Sequence, residues 1–107
     1  MTQLIIATDR TDLGRSAAVS VPNQSARASG QRSIQISVEA EQGPVSATVR
    51  LLGCNDGRFP IELAVFTLSS SGTWDTDVFA DDSHCEQYLI DVVSRSANAR
   101  ISAVGSI

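Results

Sequence analysis

The sequence predicts an all-β fold: a two-sheet antiparallel sandwich of about eight short strands, with a jelly roll among the connections that such a count allows. Three observations carry this. The apolar residues are mostly Val, Ile, Leu and Ala, with only five aromatics, and branching at Cβ suits the pleated surface of a strand. Apolar and polar residues alternate with period two along several segments, the mark of a strand with one dry face. Turn residues separate those segments at regular intervals, and the abundant Ser weighs against long helices. At 107 residues and 42% hydrophobic, the chain has the material for a single core, and residues 1–107 read as one domain.

Residues 4–8 and 17–21 are short apolar segments set in polar sequence. Two readings are open for them. They complete the chain's own sheets, or residues 1–31 form an N-terminal arm whose Leu4, Ile5 and Ile6 add a strand to a neighbour's sheet edge. Residues 22–31, PNQSARASGQ, read as a loop. Next, Ile34, Ile36, Val38 and Ala40 alternate with Ser33, Gln35, Ser37 and Glu39. Val45, Ala47, Val49 and Leu51 repeat the pattern against Ser46, Thr48 and Arg50. Glu41-Gln42-Gly43-Pro44 supplies a turn between them, so the two segments are expected to pair as an antiparallel hairpin.

Gly53-Cys54-Asn55-Asp56-Gly57 then ends a core strand in residues that tolerate positive φ at a tight turn. Pro60 cannot donate to a ladder, so it belongs at the start of the strand expected over 61–68. Strands over 73–79, 86–94 and 100–104 complete the set. In the second of these, Tyr88, Ile90 and Val92 share one face while Gln87 and Asp91 share the other.

Charge and motif exclude several function classes. The net charge is −4 and every basic residue is one of eight scattered Arg, so the basic stripe of a nucleic-acid binder is missing. With no Lys, Schiff-base chemistry is excluded. No apolar run is long enough to span a bilayer, and MTQLIIATDR lacks the basic start and apolar stretch of a signal peptide; no membrane partner is expected, and synthesis is expected in the cytoplasm. There, Cys54 and Cys85 are expected as two buried free thiols. Adjacent His84 and Cys85 with one distant Cys do not match a zinc spacing. Asp75, Asp77, Asp81 and Asp82 could offer oxygen ligands to calcium, but not at EF-hand offsets; they read instead as a solvated edge and loop, and no cofactor or metal is expected. No Gly-x-Ser-x-Gly elbow occurs, Ser83 and His84 are neighbours that point to opposite faces of a strand, and no carboxylate pair is marked, so no enzyme is expected. Trp74, beside a Ser-Ser-Ser-Gly turn, is either a packing residue or an interface anchor.

One longer pattern is familiar. A strand, Gly-x-Asn-Asp-Gly, an aromatic, a strand ending in Thr-Leu-Ser, a Gly turn, an Asp-rich segment and Tyr in an apolar strand follow one another through Gly53, Asn55, Asp56, Gly57, Phe59, Thr67, Leu68, Ser69, Gly72 and Tyr88. Over residues 45–104 this resembles the small β-sandwich virion proteins of tailed bacteriophages, which include capsid decoration (cement) proteins and tail or baseplate modules. The resemblance implies a non-enzymatic structural protein on the capsid surface, made in the host cytoplasm. It would stabilise contacts between major capsid subunits and associate with copies of itself as a homodimer or homotrimer. Sugar-binding discoidin-like sandwiches carry a similar Ser-Asn-Asp-Gly turn followed by Trp, where this chain has Cys54 and Phe59, so a carbohydrate-binding or adhesion module of a phage tail is the alternative. The candidate contact residues are Leu4, Ile5, Ile6, Asp56, Phe59 and Trp74.

Overall fold

The computed structural model describes residues 3–22, 32–83 and 85–107. Within them lie β1 (Gln3–Arg10), β2 (Gly14–Arg15), β3 (Val19–Ser20), β4 (Arg32–Glu39), β5 (Val45–Cys54), β6 (Ile61–Ser70), β7 (Trp74–Asp81), β8 (Gln87–Arg95) and β9 (Arg100–Ser106), and no helix among the described residues. Sheet A has the order β1-β9-β4-β7; sheet B has the order β2-β8-β5-β6, with β3 also on β8. All pairings are antiparallel. The two-sheet sandwich expected from the alternation is the fold.

One strand is broken. β2 pairs with Asp91 and Val92, and β3 pairs with Gln87 and Tyr88, so both lie along the same edge of β8. Between them the Ser16 N–H donates to the Ile90 carbonyl at 2.8 Å, while Ser16 Oγ accepts from the Ile90 N–H at 3.0 Å in place of a backbone carbonyl. A side chain that substitutes in the ladder interrupts the strand. Counted as one strand, β2 and β3 turn the chain into a single long hairpin: β5 pairs β6, β4 pairs β7, β2 and β3 pair β8, and β1 pairs β9. Rolling that hairpin until β4 meets β9 and β5 meets β8 gives the jelly-roll order.

The pairing expected between residues 33–40 and 45–51 does not form. β4 lies in sheet A and β5 in sheet B, and residues 40–44 carry the chain around the edge of the sandwich. At that corner the Ala40 N–H donates to the Thr73 carbonyl at 2.9 Å, and Asn98 Nδ2 donates to the Gln42 carbonyl at 2.6 Å. A Cβ on Gly43 would overlap the Gly72 carbonyl, so this corner requires glycine where the β4–β5 and β6–β7 connections touch. Alternation demands only that each strand's dry face meet another dry face. Facing across the sandwich satisfies that as well as pairing does.

The core is aliphatic. Ile34, Ile36, Val38, Ile101 and Ala103 from sheet A meet Val45, Val49, Leu51, Ile90 and Val92 from sheet B, with Leu4 and Ile6 of β1 and Phe66 and Leu68 of β6 closing the sides. Of these, Ile34, Ile36, Val38, Val45, Val49, Leu51, Ile90 and Val92 are residues the period-two pattern placed on dry faces.

Candidate contact surfaces

The N-terminal candidates separate. Leu4 and Ile6 are buried in the chain's own core, so of the three only Ile5, 57% exposed, is free for contact. β1 pairs along β9, from Gln3 opposite Ser106 to Arg10 opposite Ile101, with two irregularities and Asp9 at φ 47°. Residues 3–10 are thus a strand of this sandwich. Residues 23–31 of the expected loop, and His84, lie outside the described residues.

Asp56 holds the tip of the β5–β6 hairpin. Its Oδ1 accepts the N–H groups of Arg58 at 2.8 Å and Phe59 at 2.9 Å, with Gly57 at φ 74° between. The Phe59 and Arg58 amides hold this carboxyl below the usual carboxylate range. Asn55 Oδ1 accepts the Glu86 N–H at 2.9 Å, tying the tip to the residue that leads into β8. These are the bonds of a turn. Phe59 itself is exposed, with the Arg58 guanidinium 4.9 Å from its ring centre. Trp74 sits at the far end of β6 from Phe59, so the fold does not bring these two aromatics together.

The acidic segment is dispersed as well. Asp75 accepts from Thr76 and Ser69, Asp77 from Val78, and Asp81 from Ser83 and Tyr88. No metal-type cluster of three such side chains occurs among the described residues. Cys54 and Cys85 are both free and buried. A Cβ on Gly53 would strike Cys85 Sγ, so Cys85 lies on Gly53's side of β5 and the next residue, Cys54, points to the other. The two thiols therefore do not converge.

A buried polar network crosses the sandwich at one end, and sequence reasoning did not anticipate it. Arg32 and Asp81 are register partners on β4 and β7, and both are buried. Arg32 Nη1 donates to Tyr88 Oη at 2.9 Å and to the Cys85 carbonyl at 2.6 Å, while Tyr88 Oη donates to Asp81 Oδ2. Burial pushes Asp81 up, but the bonds from Ser83 and Tyr88 and the nearby Arg32 charge outweigh it and leave the carboxyl below its usual range. Burial, followed by the Asp81 carboxylate, pushes Tyr88 up to about 12. Opposite charges and the hydrogen bonds shared through Tyr88 make this a clamp between sheets, with Arg32 Nη2 buried and without a partner among the described residues.

The outer faces of the two sheets differ in kind. On sheet B, Arg50 pairs with Glu62 at 2.7 Å and Asp91 at 2.8 Å, linking three strands through charge. On sheet A the central row is Ile5, Val104, Gln35 and Val78, one residue from each strand in register. Around it lies a shallow depression of about 310 Å³ whose lining includes Gln3, Ser33 and Ser106 as well. Among the described residues, no ionisable side chain and no aromatic ring lines it. Ile5, Val78 and Trp74 are all exposed on this face. In β7 the outward positions Trp74, Thr76, Val78 and Ala80 are neutral while Asp75, Asp77 and Asp81 point the other way, a pattern readable in TWDTDVFAD by its period.

Fold and surface together define a class: an antiparallel two-sheet sandwich with self-satisfied turns and one sheet face that is uncharged at its centre, with Glu39 and Arg100 beside Trp74 at one end. No family model, curated protein or solved structure matches the chain.

Proposed function

We propose that this chain is a non-enzymatic structural protein that works by contact, as a capsid decoration protein stabilising contacts between major capsid subunits. The observation that supports the contact reading is the outer face of sheet A, where Ile5, Val78 and Trp74 are exposed, Glu39 and Arg100 lie at the Trp74 end, and the described residues lining the central depression include no ionisable side chain. Exposed apolar side chains framed by neutral polar ones make a docking surface of the kind buried at interface centres. The virion setting comes from the resemblance of residues 45–104 to phage sandwich proteins. Sugar recognition draws less support, because the depression lacks an aromatic ring against which a pyranose could stack.

The test is reconstitution. Purified chain is added to capsid shells lacking it and sedimented with them, and shell melting is followed by calorimetry. Saturable co-sedimentation with a raised shell melting temperature is expected. Chain left in the supernatant, with shell melting unchanged, would refute the decoration reading.

A further inference from the structure

We propose that residues 11–20 are a movable edge guard: a strap that lifts off as a unit, while the rest of the sandwich stays folded, and uncovers the edge of β8.

The strap leaves β1 in sheet A, crosses to sheet B and pairs with β8 at only two short places, β2 and β3. Each of the other edge strands is held by buried side chains: Leu4 and Ile6 in β1, Phe66 and Leu68 in β6, Asp81 in β7. No residue from 11 to 20 is buried. Val19 reaches the core only in part, and Leu13, Ala17 and Ala18 are exposed. A depression of about 350 Å³ lies between β1 and the strap, with Ile6, Asp9, Ser16, Ala17 and Val19 in its lining, so the strap is not sealed against sheet A. A segment that buries so little apolar surface gives up little on detaching, and it regains backbone freedom.

Polar contacts hold the strap closed. The Ser16 N–H and Oγ bond to the Ile90 carbonyl and N–H. Arg10 Nη2 donates to the Arg15 carbonyl at 2.9 Å, and Arg95 Nε donates to the Thr11 carbonyl. Water can replace such bonds at small net cost. Both ends of the strap are fixed: Arg10 lies opposite Ile101 on β9, and Val21 is buried with its N–H on the Glu86 carbonyl at 2.8 Å. The strap therefore lifts between two hinges instead of fraying from a terminus. Opening bares the backbone donors and acceptors of β8 from Gln87 to Val92, an edge open to foreign strands, and closure hides them.

Hydrogen exchange of the full chain, read residue by residue by NMR across urea concentrations below the unfolding transition, tests this. β8 carries both reporters. The Ile90 N–H faces the strap, whereas the amides of Leu89 and Asp91 point the other way, to β5 opposite Leu52 and Arg50. Ile90 should exchange at least about tenfold faster than Leu89 and Asp91. Its rate should depend weakly on urea, because opening exposes little surface, while theirs should depend on it steeply. Ile36→Val, in the core of sheet A, destabilises the open and closed forms alike, so it should speed Leu89 and Asp91 about fivefold and leave Ile90 unchanged. One shared rate and urea slope for the three amides, or an Ile36→Val effect that moves Ile90 with the other two, would show that the strap leaves only when the sandwich unfolds. Either result overturns the proposal.

Discussion

Tyr88 is the one tyrosine of a chain without lysine, so no other side chain ordinarily titrates near pH 10. Its folded value is raised to about 12, and the stability that goes with this is fully present below pH 10 and lost as pH rises from about 10 towards 12. Asp81 runs the other way. Its folded value is depressed, so its contribution is present above the ordinary carboxylate range, near pH 4, and is lost as pH falls through the lower folded value. Tyr88→Phe should cost about 1–3 kcal/mol at neutral pH, since Asp81 and Arg32 each lose a buried partner. The variant should also flatten the alkaline limb of a denaturant-midpoint series, with the acid limb remaining. A wild-type alkaline limb that survives in Tyr88→Phe would show that another group sets it. Tyr88 was legible as a core residue from its period, but not as a hydrogen-bond hub. Nothing in the spacing of Arg32, Asp81 and Tyr88 reveals that three strands converge, because only the rolled topology brings them together. Gly43 was legible as a turn residue; its contact with Gly72 was not. Gly43→Ala should destabilise by roughly 2–3 kcal/mol in urea unfolding, because the obstacle is backbone that cannot rotate away.

At the level of elements, β1 separates two mechanisms that the sequence left open. Leu4 and Ile6 sit in the core and β1 pairs along β9, so removal of residues 1–10 exposes both side chains and leaves β9 an unprotected edge. The truncated chain should lose its cooperative thermal transition. A truncation that melted like the full chain would restore the free-arm reading. The thiols make a second element-level test. Cys54 and Cys85 flank β5 on opposite sides, so Ellman's reagent should find no reactive thiol in the native chain and two after denaturation, without a reductant. Detection of a disulfide would contradict the geometry at Gly53. The strands of residues 33–51 were visible in sequence because each has one dry face, yet their partners were not. Alternation reports that a face is buried and is silent on whether the covering strand lies beside it or across from it. The β5–β6 hairpin was readable because Asn55, Asp56 and Gly57 carry turn chemistry of their own.

For the whole molecule, the rolled hairpin places the N-terminal and C-terminal strands side by side in sheet A and leaves both edge strands of that sheet awkward to extend. What remains for a partner is a face. The uncharged centre of that face was only partly legible: the polar positions of β4 were plain, but Val78 and Val104 joined them only once register aligned four strands. The resemblance to phage sandwich proteins pointed to contact without saying which surface makes it. Membership of a virion, as proposed, can be read from the protein composition of density-gradient-purified particles, measured by quantitative mass spectrometry. This chain should appear in the particle fraction at a fixed ratio to the major capsid protein, retained through washing in high salt because the centre of the proposed contact face is uncharged. Its absence from intact particles, or a trace amount that varies between preparations and washes away, would contradict the claim.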